Sequence, residues 1–321
     1  MIKLLNIIIV LLAAALIAVI LYPQIQENRP LPLRLACDSS ITSLPFLVAV
    51  EETLFTKNRL DPELRFYSDP DSALADLFAG KTDVGIFPWS SVLKRMATHK
   101  ETLRVFMSIE FRPALPVDAI ACRKNARIKQ LTDLKGKSLA YPPQFRDYVV
   151  PLLAAVNLTP AQVKASEVPF SAIPGLLAAG TVDAAWLLEP QLCPLDVASY
   201  DTISGATTRY VSGPFPGAAV GFSPQFLRTT SKTVRMRLKI ATDAAVAHIE
   251  GKPDKARQTL GRYFTYCTDR CDDCRLPQIH RLVEINKESV KALAARLLAA
   301  GVLADTLQTQ GIYVEPAQMA R

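Results

Sequence analysis

Strand-like and helix-like segments alternate twice along this chain, and each round closes on the same small punctuation. Leu33–Cys37 alternates like a strand, Pro45–Phe55 has helical apolar spacing, and Leu64–Tyr67 is strand-like again. Ser72–Ala79 is helical with Gly80 as its terminator, Val84–Phe87 is a short buried strand, Ser90–Thr98 a helix and Leu103–Ile109 a strand. The rhythm restarts with strands at Val117–Cys122 and Ser138–Tyr141 and helices at Arg146–Asn157 and Ser171–Ala179, the last ending on Gly180 before the strand Val182–Leu187. Gly80-Lys81-Thr82-Asp83-Val84-Gly85 is thus answered by Gly180-Thr181-Val182-Asp183-Ala184-Ala185. Alternation at this spacing predicts an α/β layer fold with mostly parallel sheets, built as two similar lobes. Downstream of Ser231 the chain reads as largely helical to Ala300, with Gly301 as a stop.

The bulk properties agree. With 321 residues, half of them hydrophobic, there is material for one or two packed cores. The net charge of +7 is scattered among acidic neighbours, and the longest basic cluster, Arg123–Lys129, is interrupted by apolar residues. That distribution argues against a nucleic-acid partner, which needs a concentrated basic stripe. At the N-terminus, Lys3 precedes an apolar run from Leu4 to Tyr22, about the ~20 residues that span a bilayer. No good cleavage site follows, so the reading is an uncleaved inner-membrane anchor over 4–22, with a cleaved signal as the alternative. Residues 1–30 then form an anchor or signal segment plus linker, and the rest is periplasmic or otherwise extracytoplasmic. Cys37, Cys122, Cys193, Cys267, Cys271 and Cys274 suit that oxidising setting as disulfide candidates, connectivity open. At least two bonds are expected, one using two of Cys267, Cys271 and Cys274.

Four segments carry a resemblance. Leu44-Pro45-Phe46-Leu47-Val48-Ala49-Val50-Glu51-Glu52-Thr53-Leu54-Phe55, Gly80–Gly85, Ile128–Ala140 (with Asp133-Leu134-Lys135-Gly136-Lys137) and Gly180–Pro190 (with Asp183-Ala184 and Glu189-Pro190) follow one another in order. In these the chain resembles the periplasmic substrate-binding proteins of ABC transporters for nitrate, taurine, alkanesulfonates and thiamine-precursor pyrimidines, the SsuA-like and NMT1/THI5-like group. The resemblance implies a type II periplasmic-binding fold with a hinge and an interlobe cleft: lobe one from 33–116 and 218–300, lobe two from 117–217, and a C-terminal tail from 301–321. It also implies a small-molecule solute, partners in an ABC permease and ATPase, no cofactor and no enzymatic turnover. Two departures stand out. Thr53 replaces a glycine, and Pro142-Pro143 removes two N–H donors where the family has a Gly/Ser/Thr-rich turn.

Ligands of open α/β sheets sit beyond the strand ends, near helix N-termini. Three loops qualify. The Asp38–Ser43 loop offers Ser39, Ser40 and Thr42, as ligand donors or as plain helix caps. Trp89, followed by Ser90 and Ser91, stacks on a planar ligand or fills the core. Gln144, Phe145 and Arg146 are the counterpart in the other lobe, with Arg146 forking onto an anion or pairing with Asp147. Trp186 and Glu189 join them as ligand or hinge residues, while Asp83 and Asp183 read as structural. The expected solute is organic with one polar or anionic head. No catalytic set emerges around His99, His248 or His280, and no metal site is expected: Cys267-x3-Cys271-x2-Cys274 fits disulfides better than an iron–sulfur, haem or zinc site with His280. Two alternatives share the fold, a membrane-tethered ligand sensor and an enzyme like the thiamine-pyrimidine synthase.

Overall fold

The computed structural model describes residues 30–99, 102–267 and 271–319, together with Leu12, Ala15, Leu16, Ile17 and Val19. The expected anchor thus lies mostly outside the described residues. Among the described residues no helix is long and apolar enough to cross a membrane.

The chain begins a first sheet with β1 (Leu31–Cys37), β2 (Leu60–Phe66), β3 (Val84–Pro88) and β4 (Arg104–Phe111). It crosses to a second sheet for β5 (Asp118–Arg123), β6 (Ser138–Tyr141), β7 (Lys164–Glu167), β8 (Ala184–Leu188) and β9 (Tyr200–Ser204). It then returns to the first with β10 (Phe215–Phe222) and β11 (Gln278–Arg281). The orders are β11-β4-β10-β3-β1-β2 and β7-β6-β8-β5-β9. Within each sheet three neighbours run parallel, β2-β1-β3 and β7-β6-β8, and the strands nearest the crossings pair antiparallel. Two sheets, each flanked by helices and joined by two crossings, make the type II periplasmic-binding architecture.

The repeated punctuation has a physical basis. Gly80 and Gly180 both adopt φ +72°, the left-handed conformation that ends a helix without a Cβ clash. Each is followed by an aspartate that ties the coming strand to its parallel neighbour. Asp83 accepts from the Arg34 backbone N–H at 2.8 Å and from its guanidinium; Asp183 accepts from the Ser138 N–H and hydroxyl, both at 2.9 Å.

Several expected elements differ. The helix read over Pro45–Phe55 divides into Leu44–Glu51 and Leu54–Lys57, because Thr53 turns left-handed at φ 55°. The helix read from Arg146 begins as a tight turn, Pro143–Tyr148, and becomes α-helical only over Val149–Ala154. The C-terminal third is not wholly helical. Between helices Pro253–Tyr263 and Lys287–Ala299 lie the cysteine segment and edge strand β11. The tail packs rather than trails: the Val314 N–H donates to the Val105 carbonyl at 2.9 Å, and Ile312, Val314 and Met319 are buried.

Candidate solute-binding cleft

The cleft lies where the C-terminal ends of β1 and β3 face the turn after β6. Its innermost space is lined by Asp38, Thr42, Pro88, Phe111, Gln144, Phe145, Tyr148, Leu188 and the β10 backbone at Gly217–Ala218. The room left there is about 10 Å³, about one water molecule. Gln144 also borders a second small space with Cys37, Tyr67 and Ile86, and an outer recess of about 250 Å³ with Ser39, Tyr67, Ser68 and Phe170. Gln144 is therefore common to the whole cleft.

From lobe one, β1 delivers Asp38 into a ring of short hydroxyls. Its carboxylate accepts from the Ser40 N–H at 3.2 Å and from the Ser40, Thr42 and Ser43 hydroxyls near 2.9 Å. Burial pushes the Asp38 pKa up, and these hydrogen bonds pull against that. Ser40 also caps the next turn by accepting from the Thr42 N–H. Ser39 stands at the outer recess, where its carbonyl accepts from Tyr266 Oη at 2.7 Å.

On the side of the second sheet, Phe145 stacks on Trp186, centroids 4.3 Å apart, and Tyr148 meets Phe215 of β10 edge-on at 5.0 Å. These rings make one wall apolar and flat. Trp186 forms its backing; it is fully buried, and its Nε1–H donates to Asp118 at 3.0 Å, a carboxylate that also receives the Thr207 N–H and hydroxyl. Gln144 is 5% exposed, and its Oε1 has no hydrogen-bond partner. An unpaired buried acceptor costs about 1–3 kcal/mol.

Other predicted residues stand elsewhere. Trp89 is in the core of lobe one, 0% exposed, its Nε1–H donating to Ser108 at 3.0 Å. The Ser90 backbone N–H donates to Tyr148 Oη at 3.1 Å, a contact between the two halves. Arg146 points to the mouth of the cleft, where its guanidinium is divided among Glu167, Asp69 and Asp71 at 2.6–3.0 Å. Its neighbour Asp147 pairs instead with Lys94, which also reaches Asp71. Glu189, in a cis Glu189–Pro190 bond, is at the junction behind the cleft: its carbonyl accepts from the Ile41 N–H, and its carboxylate accepts from the Cys193 and Arg275 N–H groups. Burial pushes that carboxyl up to about 7. Asp38 is the residue that sequence reasoning passed over; the signal was an acid at a strand's C-terminal end leading into Ser39-Ser40-Ile41-Thr42-Ser43.

Four cysteines pair, Cys193–Cys274 and Cys267–Cys271, consistent with the expected use of the C-terminal cluster. Cys37 and Cys122 are buried and free, which removes them from the disulfide candidates: each lies inside its own sheet.

Residues 40–256 match the family model described as NMT1/THI5 like. The chain belongs to the NMT1/THI5-like family. Among solved structures, this NMT1/THI5-like chain is similar to the alkanesulfonate-binding protein SsuA from Xanthomonas axonopodis pv. citri bound to MOPS, with TM-score 0.71 and 15% identity over 89% of this chain and 99% of that one. It is likewise similar to the periplasmic aliphatic sulphonate binding protein SsuA of Escherichia coli, with TM-score 0.65 and 16% identity over 87% and 95% of the two chains. The ligand-binding component of an ABC-type import system from Staphylococcus aureus, solved with zinc bound, gives TM-score 0.68 at 11% identity over 90% and 98%. A curated relative, a putative thiamine biosynthesis protein of Haemophilus influenzae, is 29% identical over 140 residues, 43% of either chain. The match thus spans less than half of that relative's length.

Proposed function

We propose that this chain is an extracytoplasmic solute-binding clamp that serves an ABC importer, and that its solute is a small flat organic molecule rich in N–H donors, of the aminopyrimidine kind. Lobe one comprises 33–116 and 218–300 and lobe two 117–217, closing on the solute about the two crossings. The observation that carries the reading is the unpaired Gln144 Oε1, buried beside the Asp38 carboxylate against the Phe145–Trp186 stack. Two acceptors and a flat apolar wall favour a ligand that donates and stacks. Whichever way the Gln144 amide is turned, Asp38 disfavours an anion, and the Arg146 guanidinium is already spent on three carboxylates. The expected anionic head thus lacks a partner here. The name of the Haemophilus relative is consistent with a thiamine-precursor pyrimidine. Permease and ATPase partners follow from the import role, without turnover of the solute. The apolar run at 4–22, whose members Leu12, Leu16, Ile17 and Val19 are exposed, supports a tether to the membrane.

A thermal-shift screen tests this. An aminopyrimidine at 100 times its Kd is expected to stabilise the protein by about 2.7 kcal/mol, with alkanesulfonates, taurine and nitrate giving no shift. A shift with the anions alone overturns the assignment.

A further inference from the structure

The disulfide Cys193–Cys274 joins the two halves of the molecule. Cys193 follows β8 of the second sheet, and Cys274 precedes β11 of the first. The segment around Cys274 is wedged between the halves. Arg275 donates to the Pro116 carbonyl and the Ser204 hydroxyl, each at 3.2 Å, and Tyr266 faces Phe170. The second disulfide lies against the first: Cys267 Sγ is 3.5 Å from Cys274 Sγ and 3.9 Å from Cys193 Sγ. A thiolate released at Cys274 would therefore stand beside the Cys267–Cys271 bond, where it can exchange.

Cys274 floors a recess of about 480 Å³ with Arg257 and Leu276, but is itself 0% exposed. Cys267, Cys271 and Cys274 are buried, whereas Cys193 is half-buried and borders an open recess of about 460 Å³ with Leu192, Leu195 and Tyr200. A thiolate arriving from outside therefore meets Cys193 first. Glu189 Oε2 stands 3.0 Å from Cys193 Sγ.

We propose that the four cysteines form a thiol–disulfide exchange site that uncouples the lobes, with an external dithiol of the Cys-x-x-Cys class as its partner. The dithiol's first thiolate bonds to Cys193 Sγ; the Cys193–Cys274 bond breaks and Cys274 leaves as a thiolate. Cys274 attacks Cys267, forming Cys267–Cys274 and breaking Cys267–Cys271, and the Cys271 thiolate takes up the proton that the donor lost. The donor's second thiolate then closes the donor's own disulfide and releases Cys193, which is protonated from Glu189; Glu189 regains the donor's second proton through the recess. Two electrons and two protons pass from donor to protein. The surviving disulfide lies within the single segment between Cys267 and Cys274, so only the two backbone crossings still join the halves covalently. Burial, which pushes the Glu189 carboxyl up to about 7, favours the neutral form needed for that proton transfer. The inference uses the two-lobed architecture and is independent of which solute is bound.

The test is stepwise reduction of the oxidised full chain by dithiothreitol and by a Cys-x-x-Cys protein, followed by acid quench, differential alkylation and peptide mapping. Cys193 and Cys271 are expected to be labelled together while a Cys267–Cys274 peptide accumulates. Labelling of Cys267 and Cys271 with Cys193–Cys274 intact overturns the proposal, as does paired release of Cys193 and Cys274 without that new peptide. Small-angle scattering supplies the second arm: Cys193→Ser and the partly reduced wild type are expected to share a larger radius of gyration than the oxidised chain. An unchanged radius in both overturns the uncoupling.

Discussion

Gln144 concentrates the argument about the solute into one side chain. Gln144→Leu removes the unpaired acceptor and keeps much of the volume, so the solute-free protein is expected to melt at the same temperature or slightly higher. The same change removes a ligand contact, and titration calorimetry is expected to show affinity falling about tenfold, which is about 1.4 kcal/mol. Unchanged affinity would place the solute elsewhere. Glu189 makes a different prediction. Its pKa is raised in the fold, so the folded state holds its proton more tightly than the unfolded chain does. The stabilisation that this proton linkage gives is complete below the carboxyl's ordinary value of 4.5 and is lost as pH rises through about 7. Across that window the loss is roughly 3 kcal/mol. Denaturant titrations from pH 4 to 8 are expected to show the decline in wild type and a flatter profile in Glu189→Gln.

At the scale of elements, burial decides roles that composition leaves open. Trp89 follows a strand on a plausible binding loop, and either stacking or packing fits its sequence. The structure packs it, with its one polar atom on Ser108. Trp89→Ala is expected to cost about 3–5 kcal/mol in stability while the folded fraction keeps its affinity, as measured by chemical denaturation beside calorimetry. The parallel strands were legible because Val84-Gly85-Ile86-Phe87 and Ala184-Ala185-Trp186-Leu187 are short apolar runs bounded by helix stops. Strand β10 was not, since Pro216, Gly217 and Gly221 interrupt any strand-like pattern there. Those glycines answer to neighbours remote in sequence: a Cβ on Gly217 would lie 2.4 Å from the Phe111 ring. β11 was hidden for a related reason, as four residues beside a cysteine segment carry no period of their own and are fixed by pairing with β4. Likewise Phe145 and Gln144 could be placed at the cleft from their position after β6, while the occupation of Arg146 by three carboxylates depends on residues 21 to 77 positions away.

For the molecule as a whole, the two halves are joined by a polar latch at the mouth of the cleft and by a disulfide behind it. The polar latch joins Asp69, Asp71 and Lys94 of the first sheet's helices to Arg146 and Asp147 of the second half. Each pair is part-exposed and worth at most about 1 kcal/mol. Lys94→Met in the fully reduced protein is expected to raise the apparent Kd several-fold by lowering the closed population, and salt is expected to do the same to wild type. Scattering and calorimetry at low and high ionic strength check both; an affinity indifferent to salt and to the substitution would remove the latch.

The docked tail has one more consequence. Because β1 opens the first sheet and Val314 closes onto β4 of that same sheet, both ends of the described fold leave from one body, and the 118–204 body is an insert strung between two crossings. Whatever grips the chain at either end holds a fixed jaw. A force applied along the chain from residue 31 to residue 319 would then load the first body and spare the inserted one.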